Sequence, residues 1–381
     1  MTSSSRRVVL VAPDKFKGSL TARDVAAALA SGIADARPEL PVVICPVADG
    51  GEGTVEAAVT SGFRSRSAMV RGPLGDPVNA SFATRSGVAV VELAQASGLG
   101  LLPAEPSSDT AVVATSYGTG ELLVAALDAG ARTVVLGLGG SAGTDGGAGM
   151  LQALGATFRD HAGDVLGPGL AHPHTAASVD LATLDPRLAR ARLVVATDVD
   201  NPLLGPRGAA AVFAPQKGAT ADQVLTLDRD LRRWSRILRK AGAEASPVQP
   251  GAGAAGGVGF AAMSALRAAA RPGVDVILEL VGFTDLLAGA RMVITGEGSL
   301  DEQSLRGKAP LGVLRAASAQ GVPTIVVAGR SALERAVVTR CGFHALFTLQ
   351  DREPDLRTCV LEAPRLLREV GREVARLMPD D

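Results

Sequence analysis

Both ends of the 381-residue sequence are built from short, uninterrupted apolar runs, each followed by a stretch with helical spacing. Near the start the runs are Arg7 to Pro13 and Val42 to Ala48, followed by ARDVAAALASGIADA and EGTVEAAVTSG. From Ala290 the texture returns as MVITGEG, KAPLGVLRAASAQG, TIVVAGR, LERAVVTRCG and ALFTL. Strands that are apolar on both faces need helices on both faces, which is the condition of a parallel sheet. The alternation therefore predicts a doubly wound α/β architecture. Thr21 or Ser19 can cap the first helix. The last helix is expected to carry Leu367, Val370, Val374 and Leu377 on one buried stripe, with Pro364 in its first turn.

The middle of the chain reads differently. RGPLGDPVNASFATRSGVAVVELA, from Arg71 to Ala94, has turn signals at Gly72-Pro73 and Gly75-Asp76-Pro77 with alternation around them. That pattern predicts antiparallel hairpin structure, foreign to a doubly wound sheet. TGELLVAALDAG, TVVLGLGG and RLVVATDVD add helix and strand segments, Ala219 to Gly242 reads as a long charged helix, and PGAGAAGGVG opens another. The expected organisation is two domains. A doubly wound parallel sheet is built from both chain ends, residues 1–67 and 290–381, and a mixed α/β domain, 68–289, is inserted into it. The crossings near 68 and 290 would form a hinge.

A chain with 47% hydrophobic residues, 20% charged residues and a net charge of −1 lacks the basic face that nucleic acid or an anionic membrane requires. With 3% aromatics, base-stacking platforms are not expected either. No secretory h-region and no apolar run of membrane-spanning length is visible. Cys45, Cys341 and Cys359 are too few and too scattered for a disulfide framework or a zinc site, and His172 and His174 sit in a Gly/Pro-rich loop that reads as solvated. The expectation is a cytoplasmic protein, monomer or homodimer, acting on a small molecule. Only five of the 38 basic residues are lysines, and Lys240 ends a charged helix. Lys15, Lys17, Lys217 and Lys308 all lie in turn-like motifs beside Gly or Pro, where a compact ammonium has been kept against a strong arginine bias.

The stretch Gly137 to Met150, GLGGSAGTDGGAGM, lies where the run TVVL gives way to a helix. Its glycines suit a tight turn, a dinucleotide cradle or an anion site. Gly137, Gly139 and Ala142 fit G-x-G-x-x-A, and Asp160 ends the next strand-like segment, which is the basis of an NAD(P)-dependent oxidoreductase alternative. Asp145 counts against it, because a carboxylate repels a pyrophosphate. Ser141, Thr144, Asp145 and bare N–H groups instead suit a phosphate with Mg²⁺, or a polyol acid. Asp14, Lys15 and Lys17 follow the first strand in APDKFKGS. Asp49 and Glu52 lie in PVADGGEGT, echoed by Glu297 and Asp301 in VITGEGSLD. Asp198, Asp200 and Asn201 end a strand in ATDVDNPLLG, Lys217 lies in APQKGAT, and Lys308 opens a helix. There is no Walker A motif. Lysines, hard carboxylates and glycine turns at the carboxyl ends of strands are the equipment of phosphoryl transfer.

Taken in order, APDKFKGSLTA, PVADGGEGT, GPLGDPVNA, TSYGTGEL, GGSAGTDGGAGMLQALGA, TDVDNPLLGPRGA, FAPQKGA, PGAGAAGGVG and ITGEGSLDEQSLRGKAP resemble the bacterial type I glycerate kinase family over essentially the whole chain. The resemblance implies ATP, Mg²⁺, phosphorylation of D-glycerate and a flavodoxin-like domain made from both chain ends with a second domain inserted. It favours 2-phosphoglycerate over 3-phosphoglycerate. Two departures bear on substrate contacts: the glycine loop has Thr144 where the family often has asparagine, and Tyr117 stands where some members have arginine. The roles expected from these likenesses are as follows. Asp198, then Asp49, would orient the attacking hydroxyl. Lys17, Lys217 and Lys308 would neutralise phosphates or the glycerate carboxylate. Glu52, Glu297 and Asp301 would hold Mg²⁺, and Asp14, Ser141, Asp145 and Asn201 would contact substrate or phosphate. A non-catalytic sugar-acid sensor keeping the same fold is the remaining alternative.

Overall fold

The computed structural model describes residues 8–302 and 304–378, so Arg7 lies outside the described residues. Its strands are β1 (Val8–Pro13), β2 (Val42–Ile44), β3 (Arg64–Arg71), β4 (Pro77–Arg85), β5 (Val88–Glu92), β6 (Thr133–Gly137), β7 (Thr157–Arg159), β8 (Ser178–Asp180), β9 (Arg192–Ala196), β10 (Ala269–Arg271), β11 (Ala290–Leu300), β12 (Thr324–Ser331) and β13 (Ala345–Thr348). The protein is mixed α/β and divides into two compact units. The first comprises residues up to Asp49, Glu56–Gly62 and Val274 onward; the second comprises Gly50–Val55 and Phe63–Gly273.

The first unit holds a five-stranded sheet in the order β13-β12-β11-β1-β2, parallel throughout. Counted within the unit this is 2-1-3-4-5, the flavodoxin-like order, and it places the topological switch point between β1 and β11. Successive residues of β1 serve opposite faces, as the pleat dictates. Val9 and Val11 pack with Leu29, Ile33, Leu367 and Val370 of helices Ala22–Ala36 and Ala363–Leu377. Leu10 and Ala12 pack with Val274, Ile277 and Val313 on the other face. The helix Gly273–Leu280 thus goes with this sheet, ahead of the crossing expected near 290, because Val274 and Ile277 supply core that the sheet would otherwise leave wet.

Thr21 is the N-cap of the first helix, its hydroxyl accepting from the Asp24 N–H at 3.2 Å. On the last helix Leu367, Val370 and Val374 are fully buried, but Leu377 is 60% exposed. The buried stripe ends instead on Met378, one residue beyond the helix.

These two helices cross closely enough that a Cβ added at Gly32 would lie 2.0 Å from the Arg368 carbonyl oxygen. Gly32→Ala is therefore expected to destabilise the protein by roughly 1–3 kcal/mol or more, against the usual gain of alanine in a helix. A urea titration reads this as a lowered midpoint; an unchanged or raised midpoint would show that the crossing can open.

The second unit holds a six-stranded sheet in the order β10-β9-β6-β5-β4-β3. β3, β4 and β5 form the antiparallel meander that the turn signals require, and β5, β6, β9 and β10 continue in parallel. β7 and β8 form a separate ribbon. The core includes Leu122, Leu136, Phe158, Leu231 and Trp234. The long helix Ala221–Lys240 opens with a capping box between Thr220 and Gln223. The ends of this unit meet: a Cβ built on Gly50 would lie 2.8 Å from the Cα of Gly273, and the Gly273 N–H donates to Asp198 Oδ1 at 2.8 Å. Among the described residues no helix is long and apolar enough to cross a membrane.

Candidate functional site

In the first unit, β1 and β11 leave the sheet side by side. The Asp14 N–H, just past β1, donates to the Gly296 carbonyl at 2.8 Å, and Glu297 is the next residue of β11. A cavity of about 480 Å³ opens at these carboxyl ends, where ligands of open α/β sheets bind. Seven of the residues singled out in the sequence line it together: Asp14, Lys15, Lys17, Asp49, Glu297, Asp301 and Lys308. Ser299 and Arg330 complete the polar wall, and Phe16, Leu349, Leu356, Cys359, Val360 and Ala363 form an apolar one.

The polar wall sets four carboxylates, Asp14, Asp49, Glu297 and Asp301, among four cations, Lys15, Lys17, Lys308 and Arg330. Asp14 is 9% exposed, and burial, followed by the neighbouring Asp49 carboxylate, pushes its carboxyl well above the usual range. The Lys15 N–H, 2.6 Å from Asp14 Oδ1, and the Lys15 charge only partly offset this. Glu297 is 7% exposed and likewise raised, first by burial, with Asp301 and Asp49 adding to it and Ser304 and Lys308 opposing it. Lys308 Nζ stands 3.8 Å from Glu297 Oε2, while Glu297 Oε1 is buried without a hydrogen-bond partner. Hard carboxylate oxygens crowded in this way, one of them orphaned, suit a divalent cation. Among the described residues no set of three or more His, Cys, Asp or Glu side chains is arranged to hold a metal alone. A cation here would draw further oxygens from its ligand, as Mg²⁺ does with phosphates.

In the second unit the glycine loop joins β6 to the helix Ala148–Ala153. Lys217 reaches it from the 3₁₀ turn Pro215–Lys217 and is only 2% exposed. Its Nζ donates to Ser141 Oγ at 2.7 Å and to the Gly143 carbonyl. Burial lowers its ammonium to about 7, the charge of Asp145 opposing the fall. So Ser141, Asp145 and Lys217, far apart in sequence, belong to one cluster.

Asp145 has a different task from the substrate contact expected of it. Its Oδ2 accepts from Ser116 N and Ser116 Oγ, both at 2.7 Å, from Gly149 N at 3.2 Å and from Thr115 Oγ1 at 3.3 Å. Its Oδ1 accepts from Gly147 N at 3.0 Å. A carboxylate so occupied fastens the loop to the segment before helix Tyr117–Asp128. Ser116 Oγ completes the fastening by accepting from the Met150 N–H at 2.9 Å. The loop's glycines, expected to serve an anion, serve this packing as well: a Cβ at Gly143 would lie 2.6 Å from the Ala114 carbonyl oxygen, and one at Gly149, in the first turn of the helix, 2.1 Å from Thr115 Oγ1.

Other expected residues lie elsewhere. Asp198 is exposed and its Oδ1 receives the Gly273 N–H, so it fastens the end of the second unit. Asn201 Nδ2 donates to the Arg207 carbonyl at 2.8 Å and shapes its own loop. Glu52, expected beside Glu297 and Asp301, belongs to the second unit, where its carboxylate abuts Gly140. Asp160 receives the N–H groups of Ala162 and Asp164 at a hairpin tip, the work of a turn aspartate and not of a ribose ligand. Thr115 and Ser116 were not singled out by sequence, since a Thr-Ser pair before a helix reads as a cap. Arg330 and the apolar wall were missed too, though Leu356 and Val360 stand four apart on one helix.

A family model described as the glycerate kinase family matches residues 9–379. A glycerate kinase of Bacillus subtilis (strain 168) is 43% identical over 371 residues, covering 96% of each chain. A glycerate 2-kinase of Escherichia coli (strain K12) is 43% identical over 345 residues, covering 90% of each. A crystal structure of a protein from Salmonella typhimurium LT2, assigned as glycerate kinase 2, superposes with a TM-score of 0.82 at 39% identity, covering 97% of both chains.

Proposed function

We infer the reaction from one premise: the chain belongs to the glycerate kinase family. It is a phosphotransferase acting on a small hydroxy acid. The finer reading is that ATP, with Mg²⁺, phosphorylates D-glycerate in the cytoplasm, and that the product is 2-phosphoglycerate. The name of the Escherichia coli relative supports the position of transfer.

The observation that carries this reading is the cavity at the ends of β1 and β11, where buried carboxylates converge with Lys17 and Lys308 and Glu297 Oε1 lacks a partner. Glu297 and Asp301 would hold Mg²⁺ there. The ion neutralises phosphate charge when bound. Lys17 and Lys308 draw the phosphate oxygens in and favour the charge that spreads over them during transfer. Lys308 precedes the helix Ala309–Ala319, where a cation is ill placed, and the Glu297 carboxylate 3.8 Å away offsets this in part. Asp49 lines this cavity and Asp198 does not, so Asp49 becomes the better candidate to orient the hydroxyl. Lys217 and Ser141 offer a second anion-binding group in the other unit.

Incubation with ATP, Mg²⁺ and D-glycerate, coupled to enolase and pyruvate kinase, tests the reaction. Pyruvate is expected at once, without phosphoglycerate mutase. Pyruvate only after mutase is added would place the phosphate on C3. No ADP above the glycerate-free control would refute the kinase reading for this acceptor.

A further inference from the structure

The cavity of the first unit has two chemically different walls, and glycerate can use only one of them. A three-carbon hydroxy acid is polar at every carbon and has nothing to lay against an apolar surface. Yet Leu349, Leu356, Cys359 and Val360 line one side. Leu356 is 52% exposed and Val360 38% exposed, while Leu349 and Cys359 beside them are almost fully buried. Two large aliphatic side chains of helix Leu356–Leu361, four residues apart on one face, are thus held open to a cavity of about 480 Å³. That volume lies within the usual range for small-molecule and cofactor sites, roughly 300–1,000 Å³.

The same cavity is lined by Lys15, Lys17, Lys308 and Arg330 together with the carboxylates Asp14, Asp49, Glu297 and Asp301, and Glu297 Oε1 is buried and unpartnered, a mixture that suits an anion bringing a divalent cation. A ligand that satisfies both walls needs a flat, largely apolar body and a polyanionic tail able to bring a divalent cation. A purine nucleoside triphosphate has that form.

We propose that this cavity is the nucleotide site, with the purine lying on Leu349, Leu356 and Val360 and the phosphates directed to Lys17, Lys308 and Arg330. The assignment rests on the kinase reading above and deepens it. It gives the helix Leu356–Leu361 a function that no motif in the sequence announced. Burial of one purine face against two aliphatic side chains is worth roughly tenfold in affinity. The charged wall supplies the remainder and is indifferent to the base.

The test uses the full-length protein and the variants Val360→Glu and Leu356→Glu, both at exposed positions that a carboxylate can occupy without burial. Each is expected to raise KM for ATP roughly tenfold or more and leave KM for glycerate unchanged. Adenosine, as a competitor against ATP, should weaken by the same factor as ATP. Inorganic tripolyphosphate, which carries the tail without the base, should inhibit both variants as it inhibits the parent. An unchanged KM for ATP in both variants would overturn the assignment, as would equal weakening of adenosine and tripolyphosphate. If a variant fails to fold, hydrogen exchange of the parent with ADP alone decides: protection of residues 349–363 supports the site, and ADP binding without such protection refutes it. A parent that forms no ADP with glycerate, yet shows this protection, would retain the nucleotide site and lose the acceptor.

Discussion

Asp145→Ala is expected to lower the stability of the protein by roughly 3–5 kcal/mol and to abolish activity with it. The carboxylate is 2% exposed and receives five N–H and O–H donors from Thr115, Ser116, Gly147 and Gly149. Removing it strands backbone N–H groups that no water reaches, and each such group costs about 1–3 kcal/mol when unpaired, less whatever the loop recovers by moving. It also removes the charge that favours the Lys217 ammonium. Asp145→Asn should be intermediate, since its NH₂ group meets donors where the carboxylate met acceptor demand. Ser116→Ala should cost less, roughly 1–2 kcal/mol, because the Ser116 backbone contact survives. Urea titrations of the three variants check the order. A loss below about 1 kcal/mol for Asp145→Ala would mean that the loop is held by its glycine packing alone.

Lys217→Ala is expected to reduce kcat by roughly 10²-fold or more, the scale for removing a preorganised charge partner. Lys308→Ala should do the same from the other unit. Near-normal turnover in both would remove lysine from the account of the reaction. Lys217 carries a further signature in pH. With its ammonium lowered to about 7 by burial, the free enzyme holds the charge below that pH and loses it above. kcat/KM should therefore fall as pH rises through about 7, while Lys217→Arg, charged throughout, should give a flatter profile at lower activity.

Stability moves the opposite way. The folded value lies below the ordinary 10.5, so between about 7 and 10.5 the unfolded chain binds the extra proton, and the native state gains stability as pH rises across that window. Below about 7 the buried ammonium costs its full penalty. Lys217→Met should accordingly gain most on the parent below pH 7 and lose that advantage towards pH 10. A parallel pH dependence in the two proteins would show that Lys217 is not the group responsible.

The architecture was largely legible from local pattern, because a strand buried on both faces leaves an unbroken apolar run and a hairpin leaves turn residues. The sheet order was not. β1 pairs with β11, and the Thr295 hydroxyl donates to the Ala12 carbonyl 283 residues away in sequence. No periodicity records such a partner. The same limit applied to the site. Residue types at strand ends identified Asp14, Lys17, Asp49, Glu297, Asp301 and Lys308, which the fold gathers in one cavity. Their division of labour depends on neighbours that sequence cannot name. Asp145 reads as a ligand until Ser116, 29 residues earlier, is seen to occupy it. Leu377 reads as core until the partner helix is found to end short of it. The apolar wall escaped because Leu356 and Val360 look like ordinary amphipathic residues until a cavity is found above them.

The meeting of Gly50 with Gly273 has a consequence for the order of events during synthesis. β1 and β2 leave the ribosome first, but the partner of β1 follows only after the whole inserted unit, a delay of roughly fifteen to fifty-five seconds at about 5–20 residues per second. Through that interval β1 is a sheet edge with no neighbour on one side. The inserted unit is nearly continuous in sequence and can complete its own core meanwhile. Once it has done so, its two ends lie against each other. More than two hundred residues then act on the waiting strands as a tether of almost no length. The entropy of closing so long a loop is met by the inserted unit's own folding, and the sheet that carries the cavity is left with a nearly local search.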